Sequence, residues 1–329
     1  MKTILVPGGA GFIGSHTVEA LHQHGYKSIV LDNFSNGHKE SVLYGEVIEG
    51  DILDTDSLDQ IFKTHSIDAV IHFAAFIEAG ESVVNPLRFY ENNTAGALNL
   101  LKAMQKHDVN RIVFSSTAAV YGQPENDDAL VETLPKLPIN PYGQTKWAVE
   151  CMLRDIAASS SFKSIALRYF NAAGSDPEGR IGELHEPESH LIPLVLQAAS
   201  GKRANIKMFG TDYPTPDGTC IRDYIHVCDL AAAHVKALDY LFDHVPEDDG
   251  FYDAFNLGTG KGFSVREVIE TARKVTGIDF EAIEESRRPG DPAFLVANAE
   301  KANRTLDWQP RYPALEDMIA HAWAFLKNR

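Results

Sequence analysis

Short apolar segments alternate with helix-like segments through the first half of the chain. Six strands are predicted, at residues 4–6, 27–31, 46–49, 68–73, 111–115 and 164–170. Helices are predicted between them, at residues 12–25, 95–106 and 142–158. Apolar strands that are separated by helices form βαβ units, and the resulting parallel sheet is covered on both faces. The pattern therefore predicts an α/β fold with a doubly wound parallel sheet.

The alternation weakens from about residue 171 onwards. Residues 174–179 and 212–218 are rich in Gly, Pro and Asp, a composition typical of loops. Residues 264–267 have the spacing of a capping box and predict a helix that ends near Gly277. Long loops in a compact domain are often functional. The second half is therefore predicted to form a smaller α/β lobe that binds the substrate.

Composition and charge restrict the partners of the chain. Its 329 residues include 30 basic and 46 acidic side chains, with a net charge of −16 at pH 7. This balance disfavours nucleic acid and anionic membranes, and no apolar run approaches the ~20 residues of a membrane span. The three cysteines form no CxxC pair, which favours free thiols in a reducing compartment. We expect a cytoplasmic protein with no nucleic-acid or membrane partner and no metal.

A glycine-rich loop follows the first predicted strand and leads into the first predicted helix. Gly8, Gly11 and Gly14 let the backbone turn tightly and approach a pyrophosphate, and the helix N-terminus offers free N–H groups. Asp32 ends the second strand, where a carboxylate accepts from the ribose hydroxyls of NAD and repels the 2′-phosphate of NADP. Asn33 follows, with no adjacent Arg. The segment predicts a Rossmann domain that binds NAD.

Two further strand ends supply candidate cofactor contacts. Asp51 and Ile52 follow the third strand, where the adenine would lie, although Asp51 alone fits a helix N-cap equally well. Phe73, Ala74 and Ala75 follow the fourth strand, where small residues let a cofactor pass close to the backbone. Simple packing at the strand end is the alternative for these three residues.

A candidate catalytic set combines a helix with a strand end. Tyr142 and Lys146 are four residues apart and share one helix face. Thr117 follows the fifth strand, at the edge of the sheet where ligands bind in this fold, and its hydroxyl can bond a substrate oxygen beside Tyr142. A tyrosine base at pH 7 needs its pKa lowered from near 10 by about 3 units, or about 4 kcal/mol. A nearby Lys⁺ and a positive nicotinamide ring act in that direction.

The motifs of both halves resemble those of a known family. A resemblance to the extended short-chain dehydrogenase/reductases is carried by residues 8–16, 115–122, 142–146 and 168–171. A resemblance to the UDP-glucose 4-epimerases of that family is carried by residues 209–231, 255–265 and 287–293. It implies an NAD-binding Rossmann domain at 1–174 and a UDP-sugar-binding lobe at 175–329, with a segment at about 222–258 packing back on the first domain.

The resemblance implies an isomerase that interconverts UDP-galactose and UDP-glucose on bound NAD. Tyr142 would remove the 4-OH proton while the C4 hydride passes to NAD⁺, the 4-keto sugar would rotate, and the hydride would return to its other face. Lys146 would lower the pKa of Tyr142 and hold the nicotinamide ribose, and Thr117 would bond the reacting oxygen. A homodimer paired through helices near 85–106 and 142–158 is also implied.

Two sets of binding residues are expected. The contacts to NAD are Gly8, Gly11, Phe12, Ile13, Gly14, Asp32, Asn33, Asp51, Ile52, Phe73, Ala74, Ala75, Asn92, Ser115, Tyr142, Lys146 and Tyr169. The contacts to the UDP-sugar are Thr117, Tyr142, Asn171, His190, Leu191, Phe209, Arg222, Tyr224, Arg288, Asp291 and Leu295. By resemblance, Arg222 and Arg288 grip the diphosphate, and a bidentate guanidinium suits that role. By resemblance, Leu295 matches a position that controls entry of N-acetylated sugars, which implies a secondary activity on UDP-N-acetylglucosamine; simple packing under the sugar loop is the alternative.

Two alternative functions remain open. The chain could be another UDP-sugar enzyme of the same fold, such as a UDP-glucuronate epimerase or decarboxylase. It could also be an NAD-binding sensor without catalysis. The intact set of Thr117, Tyr142 and Lys146 argues against the sensor.

Overall fold

The computed structural model describes residues 1–124, 126–288 and 291–329. The strands are β1 (Thr3–Pro7), β2 (Lys27–Asp32), β3 (Glu46–Glu49), β4 (Ala69–His72), β5 (Arg111–Ser115), β6 (Lys163–Tyr169), β7 (Asn171–Ala173), β8 (Asn205–Phe209), β9 (Ile221–His226), β10 (Phe251–Leu257), β11 (Gly262–Ser264), β12 (Glu281–Glu285) and β13 (Phe294–Leu295). The α-helices are α1 (Phe12–Gln23), α2 (Thr55–Thr64), α3 (Ala79–Val84), α4 (Pro86–Phe89), α5 (Gly96–Lys106), α6 (Pro141–Ser159), α7 (Leu191–Ala199), α8 (Val227–Asp243), α9 (Val265–Thr276), α10 (Glu300–Thr305) and α11 (Leu315–Lys327). Across these described ranges, no helix has both the length and the apolar character needed to cross a membrane.

A seven-stranded parallel sheet organises the larger part of the molecule, in the order β10-β6-β5-β4-β1-β2-β3. Both faces of the sheet are covered, so consecutive residues of a strand enter opposite cores. In β1, Ile4 and Val6 pack under α1 and α8, while Leu5 packs under α2, α5 and α6. This arrangement confirms the predicted doubly wound parallel sheet, and all six predicted strands lie in it.

Two elements of the second half complete this sheet. Strand β10 pairs with β6 in parallel, with Phe251 opposite Lys163 and Leu257 opposite Tyr169. Helix α8 packs against α1 and buries Leu238 completely. The sequence does not predict β10 as a strand, because polar residues interrupt its apolar run at positions 253 and 256.

The other elements of the second half build a smaller lobe. Strand β9 pairs with β11 in antiparallel fashion and with β7 and β13 in parallel, and β8 pairs with β12. Helices α7, α9 and α11 share a separate apolar core. The predicted capping box is confirmed at the start of α9, where Ser264 Oγ accepts from Glu267 N at 3.0 Å. The helix ends before Gly277, which has φ 70°.

Candidate active site

The loop between β1 and α1 lies where the strand order of the sheet reverses, beside both β2 and β4. Gly8 has φ +79°, and a Cβ there would lie 2.4 Å from the Ala74 nitrogen. A Cβ at Gly14 would lie 2.3 Å from the Gly8 oxygen. Gly11 is the N-cap of α1 and brings no side chain to the amides of the first turn. Those amides therefore remain available to an anion such as a pyrophosphate.

A cavity of ≈ 320 Å³ extends from this loop along the carboxyl ends of the central strands. All the residues predicted to contact NAD line it, namely Gly8, Gly11, Phe12, Ile13, Gly14, Asp32, Asn33, Asp51, Ile52, Phe73, Ala74, Ala75, Asn92, Ser115, Tyr142, Lys146 and Tyr169. Thr117, Asn171 and His190 from the predicted UDP-sugar set also line it. The glycine loop and the candidate catalytic residues therefore open into one continuous space.

Other lining residues were not predicted from the sequence. Residues 35–37 follow β2, and residues 76–77 follow β4. A position just beyond a strand end is the signal that could have identified them, because ligands bind at that edge of the sheet. Residues 183–185 also line the cavity, but they lie in the irregular segment between β7 and α7, where no strand end marks them.

The acidic residues that follow or end β2 and β3 are held by hydrogen bonds. Asp32 Oδ2 accepts from Ala10 N at 2.9 Å, and its Oδ1 accepts from Phe34 N at 2.9 Å. Burial raises the pKa of Asp32, and these two amides oppose the shift. Asn33 Nδ2 donates to Asp51 Oδ2 at 2.8 Å. The carboxylates at the ends of β2 and β3 are thus fixed in position before any ligand binds.

The start of α6 places Tyr142 and Lys146 beside the end of β5. The Asn140 side chain accepts from Gly143 N at 2.8 Å and caps the helix. Lys146 Nζ donates to Ser115 O at 2.9 Å, and its side chain is buried. The helix is therefore anchored at its first turn and again one turn later, which holds the phenol and the ammonium on the same side.

Burial dominates the electrostatics of this pair. It raises the pKa of Tyr142 to about 12, while the Thr117 hydroxyl opposes the shift. It lowers the pKa of Lys146 to about 7, while Glu150 opposes that shift. The fold by itself therefore keeps the Tyr142 phenol protonated, and the lowered pKa that a base requires must come from positive charge beside it.

A buried ion pair supports α6 from behind. Arg168 Nε donates to Glu150 Oε1 at 3.0 Å, and both side chains are almost fully buried. Ser116 Oγ and Tyr252 Oη donate to the same carboxylate at 2.5 and 2.8 Å. This network joins α6 to the neighbouring strands one turn beyond Lys146, so it positions the helix that carries Tyr142 and Lys146. The spacing of residues along the sequence does not predict this network.

The residues predicted to hold the diphosphate lie in the smaller lobe. Arg222 in β9 forms an ion pair with Asp291. The Arg288 guanidinium lies over the Phe209 ring, with its carbon 4.0 Å from the ring centroid. Residues 289–290, which belong to the same motif, lie outside the described residues. The two arginines are thus each held by a side chain that was itself predicted to contact the UDP-sugar.

The other predicted substrate residues are distributed over several elements. Asn171 Nδ2, at the start of β7, donates to Asp223 O at 3.1 Å. Tyr224 is buried in β9, and burial raises its pKa. Leu191 begins α7, and Leu295 is half-buried in β13. The cofactor cavity is not lined by Leu191, Phe209, Arg222, Tyr224, Arg288, Asp291 or Leu295.

Comparisons with known proteins agree over nearly the whole chain. The sequence model of the NAD dependent epimerase/dehydratase family matches residues 4–258. The UDP-glucose 4-epimerase of Halalkalibacterium halodurans is 54% identical over 99% of this chain and 96% of that protein. The crystal structure of UDP-glucose 4-epimerase from Brucella ovis in complex with NAD has a TM-score of 0.94 at 44% identity, covering 98% of both chains. The UDP-Glc/GlcNAc 4-epimerase of Campylobacter jejuni has a TM-score of 0.86 at 41% identity, covering 100% of both chains.

Proposed function

The chain belongs to the NAD-dependent epimerase/dehydratase family, and from that premise we propose that it is an isomerase that interconverts UDP-glucose and UDP-galactose at C4. One observation carries the proposal. A single cavity joins the glycine loop to Thr117, Tyr142 and Lys146. A protein that only bound NAD would need the glycine loop alone. Thr117, Tyr142 and Lys146 add groups for acid–base chemistry at the far end of the same cavity.

The chemistry of the cavity fits NAD. The first-turn amides of α1 suit the pyrophosphate, and the close backbone approaches at Gly8 and Gly14 leave room for it. The fixed carboxylate of Asp32 suits the adenosine ribose. Lys146 lies at the opposite end, where it would hold the nicotinamide ribose. When bound, NAD supplies the hydride acceptor and donor of the redox step.

The residues of the chain supply the proton chemistry. Tyr142 takes the proton of the sugar 4-OH, which requires its pKa to fall from about 12. Lys146, on the same helix face, contributes positive charge to that shift. The Thr117 hydroxyl donates to the reacting oxygen and keeps it aligned with the phenol. The same phenol returns the proton when the opposite configuration forms, so Tyr142 ends each cycle as it began.

The smaller lobe is proposed to hold the UDP moiety. Arg222 and Arg288 would bind the diphosphate, since a guanidinium offers five donors and can serve a carboxylate and a phosphate together. Their contacts to Asp291 and Phe209 support this role by holding both side chains in defined positions. Asp291 would then accept from the uridine ribose. Phe209 and Leu191 would contact the uracil.

A secondary activity on UDP-N-acetylglucosamine is a further candidate. Leu295 is smaller than Tyr and larger than Cys, and it is only half-buried in β13. The Campylobacter jejuni protein, named a UDP-Glc/GlcNAc 4-epimerase, is 41% identical to this chain. Initial rates on the two UDP-sugars test the proposal, which predicts slower but measurable turnover of the acetylated one. Complete absence of that turnover contradicts it.

The division of the chain into two functional parts is also proposed. Residues 1–174 would bind NAD and residues 175–329 the UDP-sugar, with about 222–258 belonging structurally to the first part. Packing of α8 on α1 and pairing of β10 with β6 support the last point. We propose the cytoplasm as the location, because the three cysteines are free thiols.

A homodimer is proposed on the basis of an exposed apolar surface. Val83, Val84 and Leu87 in α3 and α4 are 62%, 75% and 81% exposed. Neighbouring exposed apolar side chains of this kind mark interaction surfaces. The surface overlaps the predicted pairing region near 85–106. Light scattering of the purified protein tests it, and a monomer at micromolar concentration contradicts it.

Conversion of UDP-galactose by purified protein without added NAD tests the main function. We expect UDP-glucose as the product, because the cofactor remains in the cavity. UDP-glucuronate serves as the parallel substrate, and turnover of that compound alone would favour the other enzymatic alternative. NAD that is released only on denaturation, together with no turnover of either compound, would favour the sensor.

A further inference from the structure

A group of metal-ligating side chains lies at the rim of the cavity, in the irregular segment between β7 and α7. In the described part of the chain, His185, Glu188 and His190 form a group whose ligand atoms all lie within 4.8 Å of one another. His185 and His190 also line the cofactor cavity. The proposed epimerase chemistry uses neither His185 nor Glu188.

The separations within this group match those of a metal site. Glu188 Oε1 lies 3.2 Å from His190 Nδ1 and 3.8 Å from His185 Nδ1. Ligands bound tetrahedrally at about 2.0–2.1 Å from Zn²⁺ lie about 3.3 Å apart. The two measured separations bracket that value, so small side-chain rotations suffice to complete the geometry.

One buried imidazole nitrogen lacks a partner at this point. Nδ1 of His185 is buried without a hydrogen-bond partner. Nδ1 of His190 lies 2.6 Å from Glu183 Oε1 and 3.2 Å from Glu188 Oε1, within reach of two carboxylates. Buried polar atoms without partners are rare in folded proteins, and an ion is one of the explanations for them. Both nitrogens face the same carboxylate oxygen of Glu188, which is where a shared cation would bind.

The surrounding groups hold the ligands in the manner of a metal site. His185 Nε2 forms a hydrogen bond with Glu78 Oε1 at 3.0 Å, and such carboxylate–imidazole contacts orient metal-binding histidines. Glu188 Oε1 accepts from the backbone amides of Ser189 and His190 at 2.7 and 2.8 Å. His185 and Glu188 are therefore each oriented by hydrogen bonds to groups other than the ligand side chains.

The charge and the donor types identify the class of metal. The carboxylates of Glu78, Glu183 and Glu188 surround only two imidazoles, so a divalent cation would compensate the excess negative charge. Ca²⁺ and Mg²⁺ prefer oxygen ligands alone. Mixed imidazole and carboxylate donors at tetrahedral spacing are typical of Zn²⁺.

We propose that His185, Glu188 and His190 form a structural Zn²⁺ site. The ion would tie the segment at 183–190 to Glu78 and so fix one rim of the cavity. The proposal departs from the expectation of no metal drawn from the sequence. The spacing His-x-x-Glu-x-His was the available signal, but Glu78 reaches the site only through the fold.

Zn²⁺ binding to the untagged, full-length protein tests the proposal. After treatment with a chelator and dialysis, titration calorimetry should give one high-affinity Zn²⁺ per chain. The Glu188→Gln and His185→Ala variants should bind at least 100-fold more weakly, and Glu78→Gln 10- to 100-fold more weakly. The matched control is Glu186→Gln, because Glu186 is an exposed side chain of the same segment. It should bind like the wild type.

Substitution by Co²⁺ tests the site without any variant. Wild-type protein loaded with one equivalent of Co²⁺ should show the intense visible absorption of a four-coordinate ion, and one equivalent of Zn²⁺ should abolish it. Absence of Zn²⁺ binding to the wild type, equal affinity in Glu188→Gln, or only a weak octahedral Co²⁺ spectrum overturns the proposal. Because these measurements read the metal and not turnover, their outcome is independent of the epimerase assignment.

Discussion

Replacing Gly11 by Ala tests whether this glycine is needed for ligand binding and not for the conformation of the loop. Gly11 has φ −75°, which any residue adopts, and an added Cβ would meet only the Gly8 oxygen, at 3.3 Å. Ala is less favourable than Gly at the N-cap, which lowers stability, whereas Ala also reduces the entropy of the unfolded chain, which raises stability. Each effect is about 0.4–1 kcal/mol, so the two nearly cancel. We therefore expect the free energy of unfolding to change by less than about 1 kcal/mol.

The same methyl group would occupy the approach of the cofactor pyrophosphate, because Gly11 lines the cavity. Loss of one charge-assisted hydrogen bond to an amide costs about 1.5–3 kcal/mol. This corresponds to a decrease in NAD affinity of about 10- to 100-fold. The assay is the amount of NAD that remains with the protein after dilution and gel filtration, measured together with unfolding in urea.

Gly14→Ala is the matched control, since its Cβ would lie 2.3 Å from the Gly8 oxygen and 2.7 Å from the Gly9 Cα. Backbone cannot move aside as a flexible side chain does, so this variant should lose at least about 1–3 kcal/mol of stability. The reasoning is refuted if Gly11→Ala binds NAD as tightly as the wild type. It is also refuted if Gly11→Ala loses as much stability as Gly14→Ala.

Three further substitutions test the network around the site. Burial lowers the pKa of Lys146 to about 7, so the unfolded chain binds more protons above that pH and wild-type stability should rise between pH 7 and about 10. The stability of Lys146→Met should not rise with pH in this way. In urea titrations the variant should be more stable than the wild type by about 1–3 kcal/mol at pH 7, and this difference should shrink towards pH 10. A variant that is less stable than the wild type at pH 7 contradicts the prediction. Glu150→Ala leaves the Arg168 charge buried and unpaired and should cost about 3–5 kcal/mol in urea unfolding. Glu150→Gln also removes the carboxylate charge and should cost nearly as much, whereas a Glu150→Gln variant as stable as the wild type would argue against a charge effect. Leu295→Tyr should lower turnover of UDP-N-acetylglucosamine at least about tenfold more than that of UDP-glucose, about 1.4 kcal/mol of discrimination; equal decreases would show that Leu295 does not face the acetyl group.

Many residues that line the cavity could be predicted from local pattern because they follow a strand end. The glycine loop follows β1, Asp32 ends β2, and Ser115 ends β5. In a parallel sheet those ends share one edge, so sequence order already brings the residues together. The pattern failed at β10, where Asp253 and Asn256 are satisfied by tertiary contacts to Lys301 and Tyr121 that no local spacing reveals.

The substrate side depended on resemblance instead of periodicity. Arg222 and Asp291 are 69 positions apart and meet only because β9 pairs with β13 near both of them. The direction of the Tyr142 pKa shift was also beyond the sequence, since burial is a property of the folded chain. Residue types at fixed spacing indicate which acid–base chemistry is available. Burial in the folded chain decides how much nearby positive charge is needed to lower the pKa of Tyr142 again.

Turnover and bound cofactor measured together in Tyr142→Phe test the assigned acid–base chemistry most directly. Removal of one hydroxyl leaves the ring in its half-buried position, so the variant should fold normally and retain NAD in wild-type amount. Because a positioned acid–base group contributes about 10²–10⁴-fold, conversion of UDP-galactose should fall by at least that factor. NAD retained with turnover abolished is the predicted result. Turnover within tenfold of the wild type would contradict the account.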